Sequence, residues 1–223
     1  MQQLLASVRT LWLLLRLEWQ LEVRQAAALY GLFFYAAVMV FAAGLALSKP
    51  AGTGVWVLLV WLMMLFAAIL AAGKGLLSAP PGLHLYRYQL AGPQAQLLAR
   101  LCYNFLLLLA LQSTILLLAA VLLPLEDPTA DPLATWPAVP LSALGFAATL
   151  TLNAAIASAG SHRNTLMAVI SFPVVLPVLL LAVQLATKRM VGMPYSQELW
   201  ALPATGFLFA GISWVLYPII YTE

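Results

Sequence analysis

The sequence predicts an all-α, polytopic membrane protein with six transmembrane helices, and three observations support this prediction. Of the 223 residues, 64% are hydrophobic and only 8% are charged, whereas soluble domains carry about 25% charged residues. Six segments are long and apolar enough to cross a bilayer. None of these segments contains an Asp, Glu, Lys, Arg or His. We therefore expect a single membrane domain, 1–223.

Each predicted span has the length that a bilayer requires. The hydrocarbon core is about 30 Å thick, so a helix needs about 20 mostly apolar residues to cross it. Runs such as Leu106 to Leu109 do not alternate between apolar and polar residues, so a helix is expected rather than a strand. The spans are predicted at 27–47, 53–73, 101–123, 138–159, 165–187 and 201–221.

The residues before the first span predict an amphipathic helix over 1–26 that lies in the membrane interface. Leu4, Leu11 and Trp19 fall on one side at 100° per residue, and basic side chains fall opposite. A simple anchor before the first span is the alternative. Acidic residues gain nothing from anionic lipids, so a protein partner is also expected here. The residues predicted to contact it are Arg16, Glu18, Glu22 and Arg24.

The long connection between the second and third spans predicts a short helix parallel to the membrane. Residues 79–82 read Ala-Pro-Pro-Gly, which indicates a rigid turn, and Gly92-Pro93 ends the segment. Pro93 suits the first turn of the following helix. The residues between, 83–90, are enough for two helical turns. They indicate either a docking element or an interfacial loop with tyrosines at headgroup depth.

Proline and glycine also mark two features near the fifth span. Pro173 and Pro177 are four residues apart, so they share a helix face and predict a kink. The kink is equally compatible with a packing device and with a hinge. After this span, Gly192 to Pro194 is expected to break the chain, with a half-turn over 195–200 that dips into the interface.

The chain shows no catalytic constellation, and we expect it not to be an enzyme. Cys102 is the single cysteine, and His84 and His162 lie on separate connections, so no metal site is predicted. No span contains an acidic side chain, which ion-coupled transporters normally have. Any transport energy must therefore come from elsewhere. Three amides in the spans predict interhelical hydrogen bonds or a substrate path: Gln112, Asn153 and Gln184.

The distribution of basic residues predicts that both termini lie in the cytoplasm. With the N-terminus inside, three basic residues lie outside: Lys49, Lys188 and Arg189. The cytoplasmic side then holds the other seven: Arg9, Arg16, Arg24, Lys74, Arg87, Arg100 and Arg163.

Taken together, the order and spacing of these features resemble the membrane domain of ABC-2-type transporters. More closely, the sequence resembles the heme exporter protein B family, the permease-type subunit of bacterial cytochrome c maturation. The similarity covers nearly the whole chain. It is strongest in 17–25, 88–95 and 145–168, and in the Phe-Pro-Val-Val-Leu-Pro stretch at 172–177.

The resemblance implies a role for the short helix at 83–90 and a set of partners. This segment would be the coupling helix that docks on the ATPase, through Leu83, His84, Tyr86, Arg87 and Tyr88. The implied partners are a pair of peripheral ABC ATPase subunits and a Trp-rich heme-handling membrane subunit. A second copy of the chain and the lipid bilayer are further candidates; nucleic acid is not expected.

The resemblance further implies a multi-pass protein of the bacterial inner membrane. ATP is bound by the partner subunit, heme is a candidate cargo of the complex, and no cofactor is assigned to this chain. ATP hydrolysis would release a heme-loaded chaperone for cytochrome c assembly. The alternatives are an ABC-2 permease that exports a lipid or glycan, and a membrane scaffold without transport of its own.

Overall fold

The described part of the chain forms a bundle of six long helices. The computed structural model describes residues 16, 20, 26–77, 92–158 and 163–222. Arg16 and Gln20 are helical. A 3-10 helix, Pro132–Thr135, precedes the fourth long helix. The long helices are α1 (Ala26–Ala46), α2 (Thr53–Leu77), α3 (Pro93–Leu122), α4 (Ala138–Ser158), α5 (Arg163–Val191) and α6 (Ser196–Thr222).

These helices confirm the six predicted spans. Each contains a segment long and apolar enough to cross a membrane, so the chain has the fold of a multi-pass membrane protein. The apolar third span was predicted from residue 101, directly after the charge of Arg100. Helix α3 begins earlier, at Pro93, which confirms that Pro93 lies in the first turn of the helix that leads into this span. Its 30 residues would measure about 45 Å, longer than the hydrocarbon core is thick.

Connections α1–α2, α3–α4 and α5–α6 lie at one end of the bundle, which we call the Lys188 end. Here the backbone of Ala51 donates to Pro124 O at 2.9 Å and accepts from Glu126 N at 3.0 Å. These bonds tie the α1–α2 connection to the α3–α4 connection. At the opposite end, the Arg100 end, α2 stops and α3 starts.

The α5–α6 connection is a tight four-residue turn. Gly192 has φ +73°, a conformation that glycine adopts without strain. Met193 N donates to Lys188 O at 2.8 Å and Gly192 N to Arg189 O at 3.3 Å, which is the pattern of a Schellman motif. The predicted break at Gly192 is therefore confirmed. The prediction of a separate half-turn over 195–200 is wrong, because Ser196 begins the continuous helix α6.

Helix α4 is the central helix of the bundle. Its membrane-spanning segment is 78% buried, and it packs against α2, α3, α5 and α6. Small side chains permit this close packing, as they do at helix contacts in lipid. A Cβ atom on Gly145 would lie 2.6 Å from Val178 Cγ1 of α5, and one on Gly206 of α6 would lie 3.4 Å from Gly145 Cα.

Helices α1 and α6 lie at the periphery, since only 17% of each membrane-spanning segment is buried. Their exposed faces carry large apolar side chains, which lipid tails would cover. On α1 these are Tyr30, Phe34, Val38, Phe41 and Leu45; on α6 they include Trp200, Phe207, Leu208 and Val215.

The contact at Gly145 gives a stability prediction. Gly145→Ala should lower the free energy of unfolding by about 1–3 kcal/mol, because the added methyl overpacks against the stiff, β-branched Val178. Adding Val178→Ala should return part of that loss, since it removes the clashing atom. Unfolding would be measured by SDS titration from mild detergent micelles.

Gly211→Ala on α6 is the matched control. A Cβ there meets nothing within 4 Å, so we expect no loss and a gain of up to about 1 kcal/mol from helix propensity. A Gly145→Ala protein as stable as the Gly211→Ala control would contradict the close packing of α4 on α5.

Candidate functional site

Two amide side chains of α3 form hydrogen bonds with hydroxyl groups of α4 inside the bundle. Ser142 Oγ donates to Gln112 Oε1 at 2.9 Å, and both residues are fully buried. Nearer the Arg100 end, Asn104 Nδ2 donates to Thr151 Oγ1 at 2.8 Å. Ordinary apolar packing constrains register weakly, whereas these two bonds fix α3 and α4 at two depths.

A third polar pair joins α4 to α5 beside the proline segment. Asn153 Nδ2 donates to Ser171 Oγ at 3.3 Å, and both residues are buried. Helix α5 continues through Pro173 and Pro177, which both lie on its exposed face. The structure thus confirms that the two prolines share a face. The kink itself stays a prediction, now located next to the Asn153–Ser171 bond.

The amide predictions from the sequence are confirmed for two of three residues. Gln112 and Asn153 form interhelical bonds, but Gln184 is exposed on α5. The prediction is wrong for Gln184, because that residue turns away from the bundle. Asn104 was not among the predicted residues, although it also bonds to α4. The sequence could have indicated it, because Asn104 precedes Gln112 by eight residues and therefore lies on a similar side of α3.

Each of two buried amides keeps one polar group without a partner among the described residues. These groups are Gln112 Nε2 and Asn153 Oδ1. A buried amide group that lacks a hydrogen bond costs free energy. Both groups can therefore gain a hydrogen bond if a neighbouring helix shifts or a polar molecule enters. We call the three pairs that α4 makes with its neighbours, Gln112–Ser142, Asn104–Thr151 and Asn153–Ser171, the polar track. This polar track, in which two amide groups lack a hydrogen bond among the described residues, is the candidate functional site of the bundle.

A second polar cluster lies at the Lys188 end, where α5 meets α6. Lys188 Nζ lies 2.6 Å from Glu198 Oε1, and the Glu198 side chain is only 8% exposed against 32% for Lys188. Arg189 Nε donates to Ala134 O of the 3-10 helix at 2.8 Å. The Arg189 guanidinium also lies 4.7 Å from the ring centroid of Tyr195, at cation–π distance.

The position of Glu198 corrects the expectation that no span contains an acid. The predicted sixth span began at 201, but α6 and its apolar segment begin at Ser196. Glu198 therefore lies in the first helical turn. The positive end of the helix dipole and Lys188 both stabilise a carboxylate there. Its second oxygen, Oε2, is buried without a partner among the described residues.

The acidic residues of the α3–α4 connection shape its backbone. Asp127 accepts hydrogen bonds from Thr129 Oγ1 at 2.7 Å and from Thr129 N at 2.9 Å. These bonds hold the pKa of the Asp127 carboxyl below its usual range. Asp131 accepts from Leu133 N at 2.9 Å and caps the 3-10 helix. Local turn formation thus accounts for both side chains.

The predicted docking residues lie outside the described part of the chain, so the docking assignment stays a prediction. Arg16 is described and is exposed. Within the described ranges, no three His, Cys, Asp or Glu side chains come together as metal ligands would. The predicted residues outside these ranges are Glu18, Glu22, Arg24, Leu83, His84, Tyr86, Arg87, Tyr88 and His162.

The Asn104–Thr151 bond gives a prediction for the polar track. In a double-mutant cycle of Asn104→Ala and Thr151→Val, we expect a coupling free energy of about 0.6 kcal/mol, and at most about 2 kcal/mol. The measurement is SDS unfolding of the four proteins. Gln184→Ala replaces Asn104→Ala in the control cycle and should show no coupling. Equal coupling in the two cycles would contradict the hydrogen bond.

No protein-family model matches the sequence, and no curated protein matches it either.

Proposed function

We propose that this chain is the permease-type membrane subunit of an ABC transporter complex for bacterial cytochrome c maturation. In this complex a separate pair of ATPase subunits hydrolyses ATP, and the chain converts their motion into movement of its helices. The resemblance of the sequence to the heme exporter protein B family supports the proposal. The six-helix membrane bundle is compatible with it.

The observation that carries the proposal is the Asn104–Thr151 hydrogen bond between α3 and α4. Helix α3 begins at Pro93, shortly after the predicted coupling helix at 83–90. Asn104 is eleven residues further on, or about 17 Å along the helix axis. A displacement of the coupling helix would thus move α3 and, through this bond, the central helix α4.

The need for an external ATPase follows from the charges in the bundle. A pump driven by protons or ions requires ionisable groups along a path through the membrane. Among the described residues, the carboxylate that lies within a membrane-spanning segment is Glu198, and it is ion-paired with Lys188. This pair lies at one end of the bundle and leaves the rest of the path without an acid.

In the proposed complex, the Arg100 end and both termini face the cytoplasm, where the ATPase pair binds. The excess of basic residues on that side of the sequence supports this orientation. A Trp-rich membrane subunit handles heme, and ATP hydrolysis releases a heme-loaded chaperone. Heme is cargo of the complex, and this chain performs the mechanical step.

Exchange of two coupling-helix residues tests ATPase docking. Arg87→Glu with Tyr88→Ala should abolish retention of the ATPase pair in detergent pull-down, because the docking surface loses one cation and one aromatic ring. We expect a loss of at least about tenfold, which is 1.4 kcal/mol of binding free energy. The partner ATPase would be the one encoded beside this chain.

Lys49→Glu with Phe41→Ala is the matched control. It makes the same charge change and also removes a ring, but its residues are exposed and lie toward the Lys188 end. This control should retain the ATPase. If both double variants retain the ATPase pair, the docking assignment is wrong and the scaffold alternative remains.

An ATPase-dead partner distinguishes a moving permease from a scaffold. Cells in which the ATPase binds but cannot hydrolyse ATP should lose mature cytochrome c, measured by heme staining, although this chain and its partners still co-purify. Normal maturation in such cells would favour a scaffold. Loss of a lipid or glycan product with normal cytochrome c would instead favour the alternative ABC-2 permease.

A further inference from the structure

The three connections at the Lys188 end form a continuous set of contacts. The α1–α2 connection is joined to the α3–α4 connection by the two backbone bonds of Ala51. Arg189 of α5 then joins the α3–α4 connection through Ala134 O. The Lys188–Glu198 ion pair finally closes the α5–α6 turn on itself. We refer to the contacts of Lys188, Arg189 and Glu198 as the clasp.

The electrostatics of two antiparallel helices favour the clasp. Lys188 and Arg189 are in the last turn of α5, and Glu198 is in the first turn of α6. Each charge therefore lies at the helix end whose dipole has the opposite sign. Lys188 and Arg189 are adjacent cations. Glu198 neutralises the charge of Lys188, while Arg189 bonds to the 3-10 helix.

The clasp differs from an ordinary surface ion pair in two respects. Glu198 is more than nine-tenths buried, and its Oε2 has no partner among the described residues. Arg189 is held to its neighbours by a hydrogen bond to one carbonyl and by a ring contact with Tyr195, without a carboxylate partner of its own in the part of the chain that the structure describes. The closed arrangement thus leaves the buried acceptor Glu198 Oε2 without a hydrogen bond among the described residues. This costs free energy in the closed arrangement, as expected of a contact that can open.

The Gln112–Ser142 pair of the polar track lies in the half of the bundle nearer the Lys188 end. Ser142 is four residues into α4, or about 6 Å from the start of that helix. Gln112 Nε2 is buried there without an acceptor among the described residues.

We propose that the clasp is a latch that holds the Lys188 end closed. Its release separates the α5–α6 turn from the 3-10 helix while the Ala51 bridge stays intact. The other charged groups near this end are Asp131, which caps the 3-10 helix, and Lys49, Glu126 and Asp127, which are exposed. The latch is a property of this chain alone and does not rest on the proposed function.

Thiol labelling in lipid nanodiscs tests the latch. In a Cys102→Ser background, Thr135→Cys places a reporter on the buried face of the 3-10 helix, and Ala51→Cys places a second reporter at the buried Ala51 bridge. Glu198→Gln removes the ion pair and should raise the maleimide labelling rate of Thr135→Cys about tenfold, through local opening. The rate at Ala51→Cys should change less than about twofold.

Glu126→Gln is the matched control, since it neutralises an exposed carboxylate at the same end. It should leave both rates unchanged. Arg189→Gln keeps the ion pair but removes both the bond to Ala134 and the contact with Tyr195. It should therefore also raise labelling at Thr135→Cys, which keeps the test open if Glu198→Gln fails to fold. Equal increases at both reporters would show general destabilisation and overturn the latch. Unchanged labelling in the Glu198 and Arg189 variants would overturn it as well.

Discussion

The structure depends on the close packing of α4 against its neighbours. A helix in lipid gains little from the hydrophobic effect when it binds another helix, so contact requires small side chains and polar bonds. Helix α4 provides both. Gly145 lets α5 and α6 approach the backbone, while Ser142 and Thr151 bond to α3 and Asn153 bonds to α5. Helices α2, α3, α5 and α6 are therefore positioned relative to α4.

The two ends of the bundle differ in their contacts. At the Lys188 end, backbone bonds and the clasp join the three connections into a closed surface. At the Arg100 end, α2 and α3 extend toward the connection in which the coupling helix is predicted. The polar track between these ends is only half satisfied. The proposed transmission of motion from the Arg100 end to the Lys188 end would use such an adjustable middle.

The number and position of the spans could be predicted because the hydrocarbon core sets one length for all of them. The start of α3 at Pro93 could also be predicted, from the Gly92-Pro93 pair. The start of α6 could not, because this helix continues past the charge of Glu198 to Ser196. Glu198 illustrates the reason. Its sequence context suggested a solvated connection, but its partner Lys188 lies on another helix across a tight turn. The pairing exists only once Gly192 reverses the chain.

In the proposed function, ATP-driven motion would reach the far end of the bundle through the α3–α4 contact. The direct measurement is the distance between spin labels on two exposed residues, Gln94 and Leu133, in the reconstituted complex with and without trapped nucleotide. We expect this distance to shift with nucleotide in the unsubstituted bundle and in Gln184→Ala, and we expect the shift to be lost in Asn104→Ala. An equal shift in Asn104→Ala, or none in the unsubstituted bundle, would contradict this expectation.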